Sequence, residues 1–200
     1  MASATTLHEA FVDELRDMYN AEKQITKALP KMVKAASSED LSTAFEEHLQ
    51  QTQTQVERLE QVFESIDEKP RSKQCQGMAG ILEEGSEILN EDMDEAMMDA
   101  RLIAAAQRVE HYEMAAYGTL VAWARMMGHD DAARLLEETL NEEKAADEKL
   151  TNLAEGGINQ HAAEGGMGEG EEMEEEKPAG RTSRTASTGQ RNSRKRAATR

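Results

Sequence analysis

Seven residues of this 200-residue chain are of types that ligate metal ions, at positions a helical bundle would turn inward: Glu22, His48, Gln55, Glu110, Glu113, Glu143 and Asp147. Oxygen donors dominate the set, with little imidazole, and hard oxygen ligands suit iron or manganese better than zinc. The chemistry on offer is the binding of two such ions, followed by reaction with peroxide or dioxygen or by the holding of iron.

The inward placement rests on periodicity, since one face of a helix recurs in alternating steps of three and four residues. On that spacing one segment presents Ile103, Ala106, Glu110, Glu113, Tyr117, Leu120, Ala124 and Met127. The next presents Leu136, Leu140, Glu143, Asp147, Leu150 and Ala154. Earlier in the chain the stripes are Phe11, Leu15, Met18, Glu22, Ile25, Leu29, Met32 and then Leu41, Phe45, His48, Thr52, Gln55, Leu59, Val62, Ile66. Five carboxylates interrupt these apolar stripes, which contain no Lys or Arg. A buried ionised carboxylate must be paired, protonated or metal-bound. With no internal base, two divalent cations nearly balance the five negative charges.

Spacing adds a second argument. Glu22 and Gln55 are 33 residues apart, and so are Glu110 and Glu143. If each pair spans an antiparallel helix pair, both members lie at one height. His48 is seven residues from Gln55, about 10 Å along the same face, and is either a ligand at the edge of the site or a group behind one. The plainer readings are a satisfied core histidine for His48 and a glutamine that ties backbones together for Gln55. A one-position error in the first stripe would turn Glu14 or Asp17 inward in place of Glu22. Tyr19, Tyr112 and Tyr117 read as core or as neighbours of the site.

The elements that must position these groups are four long helices over about residues 7–35, 40–67, 94–127 and 130–157. A weaker helix over 77–92 and a linker over 69–76 form the crossover. Thr6 with Glu9 and Ser37 with Asp40 have the spacing of capping boxes. Pro30 should kink the first helix or loosen its last turns. Gly128 ends the third long helix, and Gly156-Gly157 end the fourth. Helices of matched length, paired by short turns and joined by one long crossover, describe a ferritin-like four-helix bundle. The fold class is all-α, with a domain over 1–157 and a tail over 158–200 that cannot bury a core and is expected to be disordered.

Composition agrees. Aromatic residues make up 4% of the chain and prolines number three, while the abundant residues are strong helix formers. No stretch reaches the eighteen or so apolar residues of a membrane span. The N-terminus lacks the layout of a secretory signal, and Cys75 has no second cysteine to pair with. These features point to a cytoplasmic location. The net charge of −17 conceals an asymmetry: all 40 acidic residues precede residue 177, whereas 177–200 carry eight Lys or Arg. The acidic part repels nucleic acid and attracts cations. The basic tail, free of aromatic residues, could bind nucleic acid only weakly and without sequence preference.

The segments DELRDMYNAEKQITKALPKM, AFEEHLQQTQTQVERLEQVF, AAAQRVEHYEMAAYGTL and LLEETLNEEKAADEKL closely resemble the YciF/YciE family of bacterial stress-response proteins. The resemblance spans roughly residues 5–157. It implies a ferritin-like fold, a homodimer, a dinuclear metal motif and a link to osmotic and oxidative stress, in a plan similar to rubrerythrins and manganese catalases. By position, it places the motif carboxylates at Glu22, Glu110, Glu113 and Glu143. One departure bears on activity. Ordinary di-iron bundles carry Glu-x-x-His on two helices, yet no histidine here has a glutamate three residues before it. Gln55 stands where the second helix would offer a glutamate, and Asp147 lies near the slot of the fourth helix's histidine. A bundle that has kept its architecture and lost redox work is therefore the competing expectation.

Overall fold

The computed structural model describes residues 5–165, all helical apart from turns and one linker. The order is α1 (Leu7–Ala35), α2 (Glu39–Ser65), α3 (Gln76–Ile88), α4 (Glu95–Met126), α5 (Asp130–Leu153) and α6 (Asn159–Gly165). Helix α1 begins at the expected box: Thr6 Oγ1 accepts from the Glu9 amide at 3.1 Å, and the Glu9 carboxylate accepts from the Thr6 amide. It continues through Pro30 to Ala35. At α2 the cap is Ser38, one residue later than expected. Ser37 is engaged elsewhere: its amide and hydroxyl, with the Ser38 amide, donate to the buried Asp99 carboxylate at 2.8–2.9 Å.

That cluster ties the α1–α2 turn to the first turns of α4. At the other end, His129 of the α4–α5 turn stacks on Phe11 of α1, with ring centroids 6.2 Å apart. Helices α1 and α5 therefore run one way, and α2 and α4 the other. Helix α1 packs on α2 and α4, while α5 packs on α2 and α4, which closes the four into a bundle. Residues 66–75 and α3 carry the chain along its full length, with α3 lying against α4 and α1. This is the single long crossover of a ferritin-like plan.

The core is continuous and drawn from all four long helices, with Phe11, Leu15, Phe45, Phe63, Leu102 and Leu120 fully or almost fully buried. Helix α4 is covered on two sides. Its inner stripe faces the bundle, and Ala105 lies 3.8 Å from where a side chain on Gly85 of α3 would begin. At its C-terminus Gly128 adopts φ 75°, and the Gly128 and His129 amides bond back to Arg125 and Ala124. This pair of hydrogen bonds is a Schellman motif at the glycine where the helix was expected to stop.

The glycine stop at Gly156-Gly157 needs correction. The chain passes through one wide turn, Ala154–Ile158, with Gly157 at φ 148°, and resumes as α6 against α4. Gly157 takes a conformation other residues resist, so the glycine redirects the helix without ending the folded segment. The rest of the expected tail, including the basic stretch 177–200 and its nucleic-acid reading, lies outside the described residues. No helix among the described residues is long and apolar enough to cross a membrane.

Candidate metal centre

Each long helix delivers one or two polar side chains to the interior of the bundle. Helix α1 brings Glu22, α2 brings His48 and Gln55, α4 brings Glu110 and Glu113 one turn apart, and α5 brings Glu143. All six are buried, with exposures between 0% and 8%. One ligand atom each from His48, Glu110, Glu113 and Glu143 can be chosen so that all lie within 4.8 Å of one another. Glu22 lies beside Glu113, and the Tyr117 hydroxyl donates to it. The Gln55 amide donates to Glu143, and to Glu142 at 3.0 Å.

What these groups lack is as informative as what they hold. The buried side-chain atoms without a hydrogen-bond partner include both oxygens of Glu113, one each of Glu22, Glu110 and Glu143, the Gln55 oxygen and both His48 nitrogens. Buried polar atoms are nearly always satisfied, and this many unpartnered donor atoms in one place is the ligand set a metal site requires. Burial, the largest cause for each, pushes the carboxyls toward the protonated form. It raises Glu22 to about 7 against a lowering by Tyr117, and Glu110 to about 8. Glu113 and Glu143 rise well above the usual range, first from burial and then from the negative charge of Glu22. Burial also holds His48 neutral, lowering it to about 4.

Two expectations change. The interior is not free of bases: Arg58, 7% exposed, lies one turn beyond Gln55 on α2. Its guanidinium is taken up by Glu142 at 2.6 and 2.9 Å, Thr139 at 2.8 Å and Glu138 at 3.2 Å. It therefore neutralises Glu142 and leaves the four clustered carboxyls unclasped. Steps of three and four from Gln55 led to Leu59 and passed over position 58. The clue available in the sequence was Thr139 between Glu138 and Glu142, a pattern able to receive an arginine across the helix interface. Asp147, the second revision, is not gathered into the cluster. Its carboxylate turns to the α4–α5 edge, where it meets Gln107 at 3.2 Å and His111 at 3.3 Å.

The three tyrosines separate. Tyr117 touches the cluster, whereas Tyr19 donates to Glu60 at 2.5 Å and Tyr112 lies 3.1 Å from the Cys75 sulfur. Cys75 is fully buried, and burial raises its thiol above the ordinary range, which suppresses the reactive thiolate.

Protein YciF of Escherichia coli K12 is 48% identical over 158 residues, spanning 78% of this chain and 95% of its own. The crystal structure of that protein, described as a stress protein, superposes with a TM-score of 0.76, covering 78% of this chain and 99% of its own at 47% identity. YcfI of Rhodopseudomonas palustris, proposed to be a structural protein, gives a TM-score of 0.73 at 48% identity over 76% of this chain and 98% of its own. A protein of Xanthomonas campestris shares the fold at 23% identity and a TM-score of 0.66, over 81% of this chain and 99% of its own. The family model for a domain of unknown function, DUF892, matches residues 6–163, and the chain belongs to that family.

Proposed function

We propose that this chain is a stress protein that binds a dinuclear iron or manganese centre within its bundle and through it meets peroxide or dioxygen, or holds iron. The observation that carries the reading is the cluster of unclasped carboxyls at Glu22, Glu110, Glu113 and Glu143, with unpartnered buried oxygens and a neutral His48 beside them. Four carboxylates balance two divalent cations, while the nearby Arg58 is spent on Glu142 and Glu138. The stress role carries over from the E. coli relative.

The four carboxylates and His48 would hold the ions, and a bound pair of such metals supplies electrons to, or accepts them from, an oxygen substrate. The protein's own part is positioning. Tyr117 orients Glu22 through its hydroxyl, and Gln55 steers Glu143 through its amide. Leu59, Leu120 and Ala106 are buried in the same core and exclude water. Carboxyls that carry protons in the metal-free state release them as the ions enter.

The second reading is a structural protein without turnover. Gln55 favours it, because a hydrogen-bond donor stands where a ligand carboxylate was expected. The two separate on one experiment: protein loaded with iron(II) or manganese(II) is mixed with hydrogen peroxide and followed by absorption. A peroxide-dependent spectral change that disappears in Glu110→Gln/Glu143→Gln is expected. Metal uptake without any spectral response would leave the structural reading.

A further inference from the structure

A cavity of about 150 Å³ adjoins the cluster on the side of the α1–α2 turn. Two thirds of its lining residues are apolar, Ile25, Leu29, Phe45 and Leu150 among them, and they come from the four long helices with Leu82 of α3. His48 and Glu110 belong both to this lining and to the cluster. His48 is 8% exposed with neither ring nitrogen hydrogen-bonded, its Nε2 lies 3.4 Å from one Glu110 oxygen, and the other Glu110 oxygen has no partner. At the rim the partly exposed Glu47 and Lys149 pair across α2 and α5. An exposed ion pair of this kind is weak and opens readily.

Size and polarity narrow the occupant. A cavity of about 150 Å³ accommodates a molecule the size of benzene, roughly six non-hydrogen atoms. Hydrogen peroxide and water have no apolar body and would leave most of this lining uncovered. A molecule that fits needs a compact hydrocarbon body and one oxygen-bearing end facing His48 and Glu110.

We infer that this cavity binds a small organic hydroperoxide, ROOH, with the hydrocarbon group R against the apolar wall and the oxygen end at His48 and Glu110. The choice of a hydroperoxide rests on the peroxide reading above, whereas the apolar site itself does not. Filling the space from half-buried or more open positions isolates the effect: Ala28 and Ala146 line the cavity, and neither belongs to the ligand set. Leucine at both adds hydrophobic bulk to empty space.

The test has two arms. Metal-free full-length protein, native and Ala28→Leu/Ala146→Leu, is titrated with tert-butyl alcohol, an unreactive probe of the same body, and followed by methyl NMR. Saturable shifts at Leu29, Val109 and Leu150 that vanish in a folded double variant are expected. No saturation, or equal shifts in both proteins, overturns the proposal. In metal-loaded protein the ratio of the tert-butyl hydroperoxide rate to the hydrogen peroxide rate should fall at least tenfold in the double variant, and an unchanged ratio contradicts the hydroperoxide assignment. If the loaded protein responds to neither peroxide, the peroxide reading has failed and the hydroperoxide assignment falls with it, while the alcohol titration still decides whether the apolar site exists. Thermal melting confirms that the double variant is folded. Should it not fold, Ala28→Leu alone serves in both arms.

Discussion

Protonation separates the metal-free protein from one with its carboxylates charged. In the metal-free state Glu22 and Glu110 bind protons up to about pH 7 and 8, far above the 4.5 of an exposed glutamate. Because the folded state holds those protons more tightly, their contribution to stability is full at low pH and is lost as pH rises through the raised values. His48 acts oppositely. Its folded value of about 4 lies below the ordinary 6.5, so stability is lost as pH falls through that interval. On these groups metal-free protein should therefore be most stable at about pH 4–5 and should weaken steadily toward pH 8, Glu22 alone accounting for a loss on the order of 3 kcal/mol. Urea denaturation across pH 4.5–8.5 measures this, and a stability that climbs steadily to pH 8 would contradict it. Much of this site was legible: every stripe carboxylate but Asp147 is buried, as are His48 and Gln55. Asp147 was misplaced because it lies one turn from Glu143 at the flank of α5, where a step of four drifts toward the helix edge.

Among the elements, Asp99 joins parts of the chain that nothing local would hold together. It accepts three hydrogen bonds from Ser37 and Ser38 and so fastens the α1–α2 turn to α4. Asp99→Ala leaves two amides without their partner at a partly buried site and should cost about 2–4 kcal/mol. Chemical denaturation checks the cost, and a loss below about 0.5 kcal/mol would show that water replaces the carboxylate without penalty. Helix positions were readable because α1 and α2 each bury one face, so their patterns carry the helical period cleanly. Asp99 and the course of α6 were not readable. A lone Asp in a helix's first turns resembles a solvated charge until its distant partner is known, and Gly157 fits a helix stop as well as a redirecting turn.

For the whole molecule, acidity and assembly set the terms. An excess of acidic groups outside the tail draws cations toward the bundle before any ligand is reached. The family resemblance leads us to propose a homodimer, and analytical ultracentrifugation should give twice the 22.2 kDa chain mass, a single monomer boundary contradicting it. The bundle and crossover were legible from helix lengths and turn signals, whereas the reach of the folded segment past Gly157 depended on packing against α4. The central claim is that metal ions complete the buried carboxylate cluster. Elemental analysis of protein purified without added metal, followed by thermal melting before and after chelation, tests it most directly. We expect about two iron or manganese ions per chain and a lower melting temperature once they are removed; protein that carries no metal, takes up none, and melts at the same temperature with or without chelator would contradict it.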